Sequence, residues 1–358
     1  MTAPFTISIL STMDPVIRAS VSFSLALERA DTVVIHHDLV GDEIRRVVSD
    51  ASGVVETDAT ELEHACLSCA VREDLIPTLE RLRARGRWTR ALVALPVTAE
   101  SAPVTRALNT ASRRGGELAG TRLGAVICAV DATTIADDAF NSDFLDDRGL
   151  SLVEDDGRVV AEAVAPMLAH ADLVAIVGDG PVSGEAVATV GHLRGRGSSV
   201  VAGPAETLDG DAIMAHEHRC HRAMGRVDPL RLERHVEPDS NGVWSIDLVS
   251  TKPFHPDRLR EHLVELGSHD ARTRGHFRVP TRPGEPCAWE GAGRQVSVGS
   301  LGSWGRNRRA TRLVVTGRGP ERESIARAFD ACLLRDDERH LNWANGDDLS
   351  DWLGPVDG

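Results

Sequence analysis

Short apolar runs alternate with amphipathic stretches through the first half of the chain. Phe5–Leu10 (FTISIL), Thr32–His36 (TVVIH), Ala91–Leu95 (ALVAL), Gly124–Val130 (GAVICAV) and Leu173–Val177 (LVAIV) each read as a buried strand. Pro15–Glu28 spaces its apolar residues as a helix does, and Leu75–Arg85 sets leucines at helical intervals. Unbroken apolar strands separated by helical patterns predict βαβ units and a mostly parallel sheet covered on both faces. The pattern breaks over Gly195–Arg234, which reads as a linker. A different rhythm follows. Val243–Val249 (VWSIDLV) opens a second unit with a Pro-bounded helix at His255–Leu266 and short strands near Gly275–Val279, Ala288–Glu290 and Arg312–Thr316. A last helix is expected at Arg322–Leu334, and the mixture predicts a small α+β domain. The expected layout is an α/β domain over 1–212, a linker over 213–240, an α+β domain over 241–335 and an acidic docked tail over 336–358.

Composition narrows the function classes. The formal net charge is −14. An acidic surface does not neutralise phosphates along a duplex, which argues against DNA as a partner and leaves a basic protein surface open. Only Cys66 and Cys69 of the six cysteines lie close together, so the chain is no disulfide framework. The opening MTAPFTISIL has no basic segment ahead of a long apolar one, and no stretch approaches a membrane span. The expectation is a cytoplasmic protein without a membrane partner.

Cys66-Leu67-Ser68-Cys69 is the sharpest chemical feature. A C-x-x-C turn places two sulfurs on one side of a loop, as thiolate zinc sites require. His64 supplies a candidate imidazole, and His36, His37 or Asp38 could complete a fourth position if the second strand ends nearby. Redox chemistry is the weaker expectation for the pair, because Glu61, Glu63, Glu73 and Asp74 surround it in sequence with negative charge. His216-Glu217-His218-Arg219-Cys220-His221 is a second metal-ligand-rich tract, read first as solvated linker. Arg272, Arg274, Arg278 and Arg282, followed by Arg306, Arg308 and Arg309, form a basic stripe read first as arginines paired with surplus carboxylates. Trp289, Trp304, Trp343 and Trp352 read as core or tail-docking residues. There is no elbow-type Ser-His-Asp arrangement, no H-E-x-x-H and no G-x-G-x-x-G after a strand.

Two segments carry a family resemblance. Leu62–Leu75, LEHACLSCAVREDL, is similar to the metal-binding stretch of the CobW family of G proteins, where Gly-Cys-x-Cys-Cys precedes an Arg-x-Asp-Leu ending. KPFHPDRL, RTRGHF, CAWEGAG, LVVTG and DACLL, between Lys252 and Leu334, stand in the order of CobW-type C-terminal domains. The resemblance implies a P-loop-NTPase-like first domain and a CobW C-terminal-like second one. Ser68 stands where the family pattern has its middle cysteine, so one soft ligand is missing.

Every GTP-binding element departs from the pattern. Ser11–Ser20 (STMDPVIRAS) contains neither the glycines nor the Lys of a phosphate-binding loop; Pro15 removes an amide donor, Asp14 would repel phosphate, and Arg18 is a lone cation. Leu95-Pro96-Val97-Thr98 offers no carboxylate before Glu100, and Val177-Gly178-Asp179-Gly180 replaces the guanine-reading Asn-Lys-x-Asp. No nucleotide cofactor and no catalysis are expected. Such chains look like an actinobacterial subgroup that includes a mycobacterial factor recruiting a ribosome hibernation factor to ribosomes under zinc starvation. That resemblance implies a non-catalytic, zinc-linked adaptor whose partners are the hibernation factor and the small ribosomal subunit. The alternative is a GTP-dependent zinc metallochaperone.

Overall fold

The computed structural model describes residues 4–64, 66–232, 238–338, 343 and 347–354. Parts of the expected linker and tail lie outside them. The chain divides into two compact units: 1–136, 144–158 and 166–226 form the first, and 137–143, 159–165 and 227–358 the second.

The first unit is built on eight strands: β1 (Thr6–Thr12), β2 (Thr32–Val40), β3 (Glu43–Asp50), β4 (Gly53–Glu61), β5 (Arg90–Ala94), β6 (Arg122–Asp131), β7 (Leu173–Val177) and β8 (Ser199–Gly203). Their order across the sheet is β4-β3-β2-β5-β1-β6-β7-β8. The six strands from β2 to β8 run parallel, while β3 and β4 add as antiparallel hairpins at one edge. The period of two along each strand sends neighbouring side chains to opposite faces. Ile7, Ile9, Val33, Ile35 and Val93 enter one core with Leu75, Leu79 and Leu108. Leu10, Val34 and Leu92 enter the other, against Val21 and Leu25 of helix α1 (Pro15–Glu28).

The expected strands all form, and α1 has the predicted bounds. Strands β3 and β4 were not legible because they are polar. In β3 only Ile44, Arg46, Val48 and Asp50 are buried, and β4 is mostly exposed with Glu56, Asp58 and Glu61 along it. Charged residues on an outer strand discourage pairing with another chain. The segment 195–234 is not a plain linker. It contains β8 and the helices Gly210–Ala215 and Cys220–Val227.

The second unit is an antiparallel sheet of β9 (Trp244–Ser250), β10 (Ala271–Phe277), β11 (Cys287–Ala292), β12 (Gln295–Ser300) and β13 (Thr311–Gly317), in the order β12-β11-β10-β13-β9. Its core gathers Phe254, Phe277, Trp289, Leu313, Ile325 and Phe329. The single helix expected over His255–Leu266 is two, Pro256–Glu261 and Leu263–Gly267, separated at His262. The prolines around His255 are structural: Phe254 N–H donates to Arg278 O and His255 N–H to Cys332 O, both at 2.8 Å. The tail docks through Leu349 and Leu353, which join the core, and through Asp347, which pairs with buried Arg282. Arg282 also donates to Gly354 O at 2.7 Å, and Arg272 pairs with Glu290, so these arginines of the stripe are held by the protein itself.

Gly275 of the RTRGHF segment is fixed by the sheet. A Cβ there would lie 2.0 Å from Arg312 O on the neighbouring β13. Gly275→Ala is expected to force β10 from β13 and to cost about 1–3 kcal/mol, as overpacking does. Urea unfolding followed through the tryptophans of this unit checks it; an unchanged midpoint would refute the close approach.

Candidate functional site

The C-x-x-C pair opens a helical run of three segments: α2 (Leu67–Ala70), a π-helical turn at Val71–Leu75 and α3 (Ile76–Ala84). Cys66 is the N-cap, in extended conformation. Its Sγ accepts the Cys69 N–H at 3.3 Å, the role Ser or Asp usually plays. Cys66 O accepts the Ala70 N–H at 3.1 Å, closing the first turn around the pair. Cys66 is half-buried and Cys69 buried. The Cys69 backbone amide, with help from the Cys69 thiol and Arg72, draws the Cys66 thiol below its ordinary range. The Cys69 thiol, donating to Cys66 and partly desolvated, is pushed the other way.

The acidic surroundings expected around this pair are present in part: Glu63 and Glu73 lie beside it, and Glu73 helps raise the Cys69 thiol. Arg72 Nη2 lies 3.8 Å from Cys69 Sγ and pairs with Glu73 at 2.6 Å and Glu63 at 3.1 Å. Asp74 turns away into the sheet edge. Its carboxylate accepts from His37 Nε2 on β2 at 2.7 Å, from Thr60 Oγ1 on β4 at 2.9 Å and from the Arg46 guanidinium on β3. Arg46 continues to Asp58 at 2.7 Å. Burial opposes the charge on Asp74, yet His37, Arg46 and Thr60 outweigh it and hold its pKa below the usual value. The Arg-x-Asp-Leu ending therefore has a physical division of labour. Arg72 faces the thiols, Asp74 ties the helical run to three strands, and Leu75 fills the core.

The other metal-ligand candidates are not gathered. Among the described residues, no group of three or more His, Cys, Asp or Glu side chains is placed to hold a metal ion. His64 is exposed and does not form such a set with the two thiols. His37 is committed to Asp74, and Asp38 to Arg18 at 2.7 Å. His36 is lowered from its ordinary pKa by burial and by Arg18. The described residues thus offer zinc two sulfurs, not the four ligands of a closed structural centre.

The turn between β1 and α1 is also settled in geometry. Asp14 caps α1: its Oδ1 accepts from Val16 N–H at 2.6 Å and Ile17 N–H at 3.0 Å, with Pro15 at the first helical position. A phosphate at a helix N-terminus uses these same amides. Arg18 is turned inward, donating to His37 O at 3.1 Å and Leu95 O at 3.0 Å besides its pairing with Asp38. Beyond β5, Thr98 adopts a left-handed φ of 68° and its N–H donates to Thr12 O at 3.1 Å, pinning that loop to the end of β1.

The His216–His221 tract is not a solvated linker at His218, whose ring is buried. His218 Nδ1 donates to Asp172 Oδ2 at 2.7 Å, Arg226 Nη2 donates to Asp172 Oδ1 at 2.7 Å, and Val126 N–H donates to the same carboxylate at 3.1 Å. The His170 ring lies 5.5 Å from the His218 ring, tilted by 57°, and shares a 2.8 Å hydrogen bond with Ser101 Oγ. Burial would raise Asp172, but His218 and Arg226 bring it down to about 2. Burial, with the His218 and Arg226 charges, lowers His170 to about 3. The sequence signal for this knot was Asp172 placed at the start of an apolar strand, with no solvated reason to be there.

Residues 243–333 match the cobalamin synthesis protein CobW C-terminal domain. The chain is 27% identical over 354 residues to a Mycobacterium tuberculosis protein named a zinc chaperone, covering 87% of this chain and 84% of that one. It is 22% identical over 268 residues to a zinc-regulated GTPase metalloprotein activator of Dictyostelium discoideum, covering 68% and 54%. Zn(II)-bound YjiA GTPase from E. coli aligns over 93% of this chain and 100% of its own at 15% identity, with a TM-score of 0.38.

Proposed function

We propose that this CobW-type chain is a non-catalytic, zinc-linked adaptor that neither binds nor hydrolyses GTP. The observation carrying the reading is Asp14. A carboxylate of the chain already occupies the amides at the start of α1, and a triphosphate there would meet a fixed negative charge with no lysine to offset it. Arg18, the one nearby cation of the segment Ser11–Ser20, spends its guanidinium on two carbonyls and Asp38.

Zinc enters through Cys66 and Cys69. A two-sulfur site without a third protein ligand suits a metal that is sensed or handed on, with the remaining positions filled by water or by a partner. The names of the zinc-chaperone and zinc-regulated relatives support the zinc part of the reading. The finer part rests on the resemblance of the thiol stretch to an actinobacterial subgroup: recruitment of a ribosome hibernation factor to the small ribosomal subunit when zinc is scarce. Contact is with protein and not DNA, with which the acidic balance of −14 agrees; among the described residues no helix is long and apolar enough to cross a membrane.

Calorimetry of the purified protein tests the two halves separately. Zinc is expected to bind the wild type, to fail on Cys66→Ser/Cys69→Ser, and GTP with Mg²⁺ to give no heat. Capture from zinc-depleted cells should then retain the hibernation factor on wild-type protein. Micromolar GTP binding would instead favour the GTP-dependent zinc metallochaperone. Unchanged zinc binding by the double variant would remove the thiols from the site.

A further inference from the structure

We propose that Cys66 and Cys69 form a redox-active dithiol in which Cys66 attacks a hydroperoxide and Cys69 closes the disulfide. Position, access and hydrogen bonding at the site build this asymmetry. The partners are pre-positioned, since the Cys69 amide sits 3.3 Å from Cys66 Sγ and the Cys66 carbonyl is already bonded to Ala70 N–H at 3.1 Å. An N-cap residue and one three positions on stand about 5–6 Å apart at Cα, within the span a disulfide bridges without moving the backbone. Access differs between them: Cys66 is half-buried, whereas Cys69 is buried, so a solvent-borne oxidant meets Cys66 first. The hydrogen bonds are also unequal: the Cys69 amide is aimed at the attacking sulfur, and Arg72, itself paired with Glu63 and Glu73, lies 3.8 Å from the resolving one.

The chemistry closes on these atoms. The Cys66 sulfur attacks one peroxide oxygen, the O–O bond breaks, and the released hydroxide leaves as water after taking a proton. Cys66 is then a sulfenic acid. The Cys69 sulfur attacks Cys66 Sγ, the S–O bond breaks, and a second water departs with the Cys69 proton. Two thiols and one hydrogen peroxide become one disulfide and two waters. The four other cysteines have no such arrangement. Cys128, Cys287 and Cys332 are buried, and their thiols are pushed up to about 12 by burial. Cys220 is half-buried, and burial raises it too.

This reading does not require zinc, because the same two sulfurs react in metal-free protein; if zinc does sit on them, the disulfide excludes it. The test therefore uses full-length, chelator-treated protein and hydrogen peroxide, followed by alkylation and peptide mass spectrometry. The expected result is a Cys66–Cys69 crosslink at one equivalent of peroxide, formed at least tenfold faster than any change at Cys220. In Cys69→Ser, dimedone should label Cys66; in Cys66→Ser, Cys69 should stay unlabelled. Oxidation of Cys66 no faster than Cys220, dimedone labelling elsewhere, or overoxidation of Cys66 in the wild type without a crosslink would each overturn the proposal. Because the wild-type map alone decides the first point, a variant that folds poorly does not rescue the idea.

Discussion

Replacing Asp74 by alanine is expected to destabilise the first unit by about 3–5 kcal/mol. Asp74 and Arg46 are both nearly inaccessible, with side-chain exposures of 2% and 5%. Removing the carboxylate leaves a buried guanidinium whose remaining partners, Asp58 and Glu56, lie at or near the surface of the outer strand. It also frees His37 Nε2 and Thr60 Oγ1 in a site closed to water. The pH dependence has a definite sign. A carboxylate held below its ordinary pKa contributes stability above that ordinary value, near 4, and the contribution disappears as pH falls through the folded value. Asp74→Asn should therefore flatten the acid limb of the wild-type stability profile. Urea titration read through buried Trp88 measures both effects. A loss below about 1 kcal/mol for the alanine variant would mean that the sheet edge is held by something other than this clasp.

The second large effect is expected from Asp172→Ala. Asp172 receives His218, Arg226 and the Val126 amide, and so anchors the 216–227 stretch to the centre of the parallel sheet. Its removal takes the carboxylate from a half-buried guanidinium, which keeps its bond to Ala171 O, and from a buried imidazole, again worth about 3–5 kcal/mol. Local release should be visible as well: amides of Cys220–Val227 should exchange with deuterium faster than those of β6. The neighbouring His170 adds an acid liability of its own. Its folded pKa of about 3 lies below the ordinary value near 6.5, so the unfolded chain binds the extra proton and stability falls as pH drops through that window. If Asp172→Ala loses stability without faster exchange at 220–227, the knot is structural filler and not an anchor.

The residues that make strands and helices by their own pattern were readable. Ile7, Ile9, Val33 and Val93 alternate as the pleat demands, and Asp14-Pro15 marks the start of a helix at the residue where it begins. What escaped was set by tertiary pairing. Arg46 and Thr60 look like surface residues until Asp74, from a segment 14 positions beyond Thr60, closes on them. His37 reads as a spare metal ligand on the condition that the second strand ends near the thiols, whereas its ring is claimed by that same carboxylate. The acidic neighbourhood of Cys66 and Cys69 is legible only in part: Glu63 and Glu73 gather there, whereas Asp74 turns inward to His37. A list of nearby carboxylates does not say which of them Arg72 neutralises and which turn inward. The opposite face of Asp14 was legible in part. Its charge was expected to repel phosphate, and the missing step was that it would take the amides for itself.

Asp14 also bears on timing. A switch protein keeps time with an anion that comes and goes, and its helix end is filled or empty according to supply. Here the anion at the start of α1 is a side chain of the protein itself, Asp14, seated on the Val16 and Ile17 amides. On the adaptor reading proposed above, the sheet behind it is a frame without a nucleotide clock. Any signal the molecule carries has to be written elsewhere, on atoms whose occupancy can change.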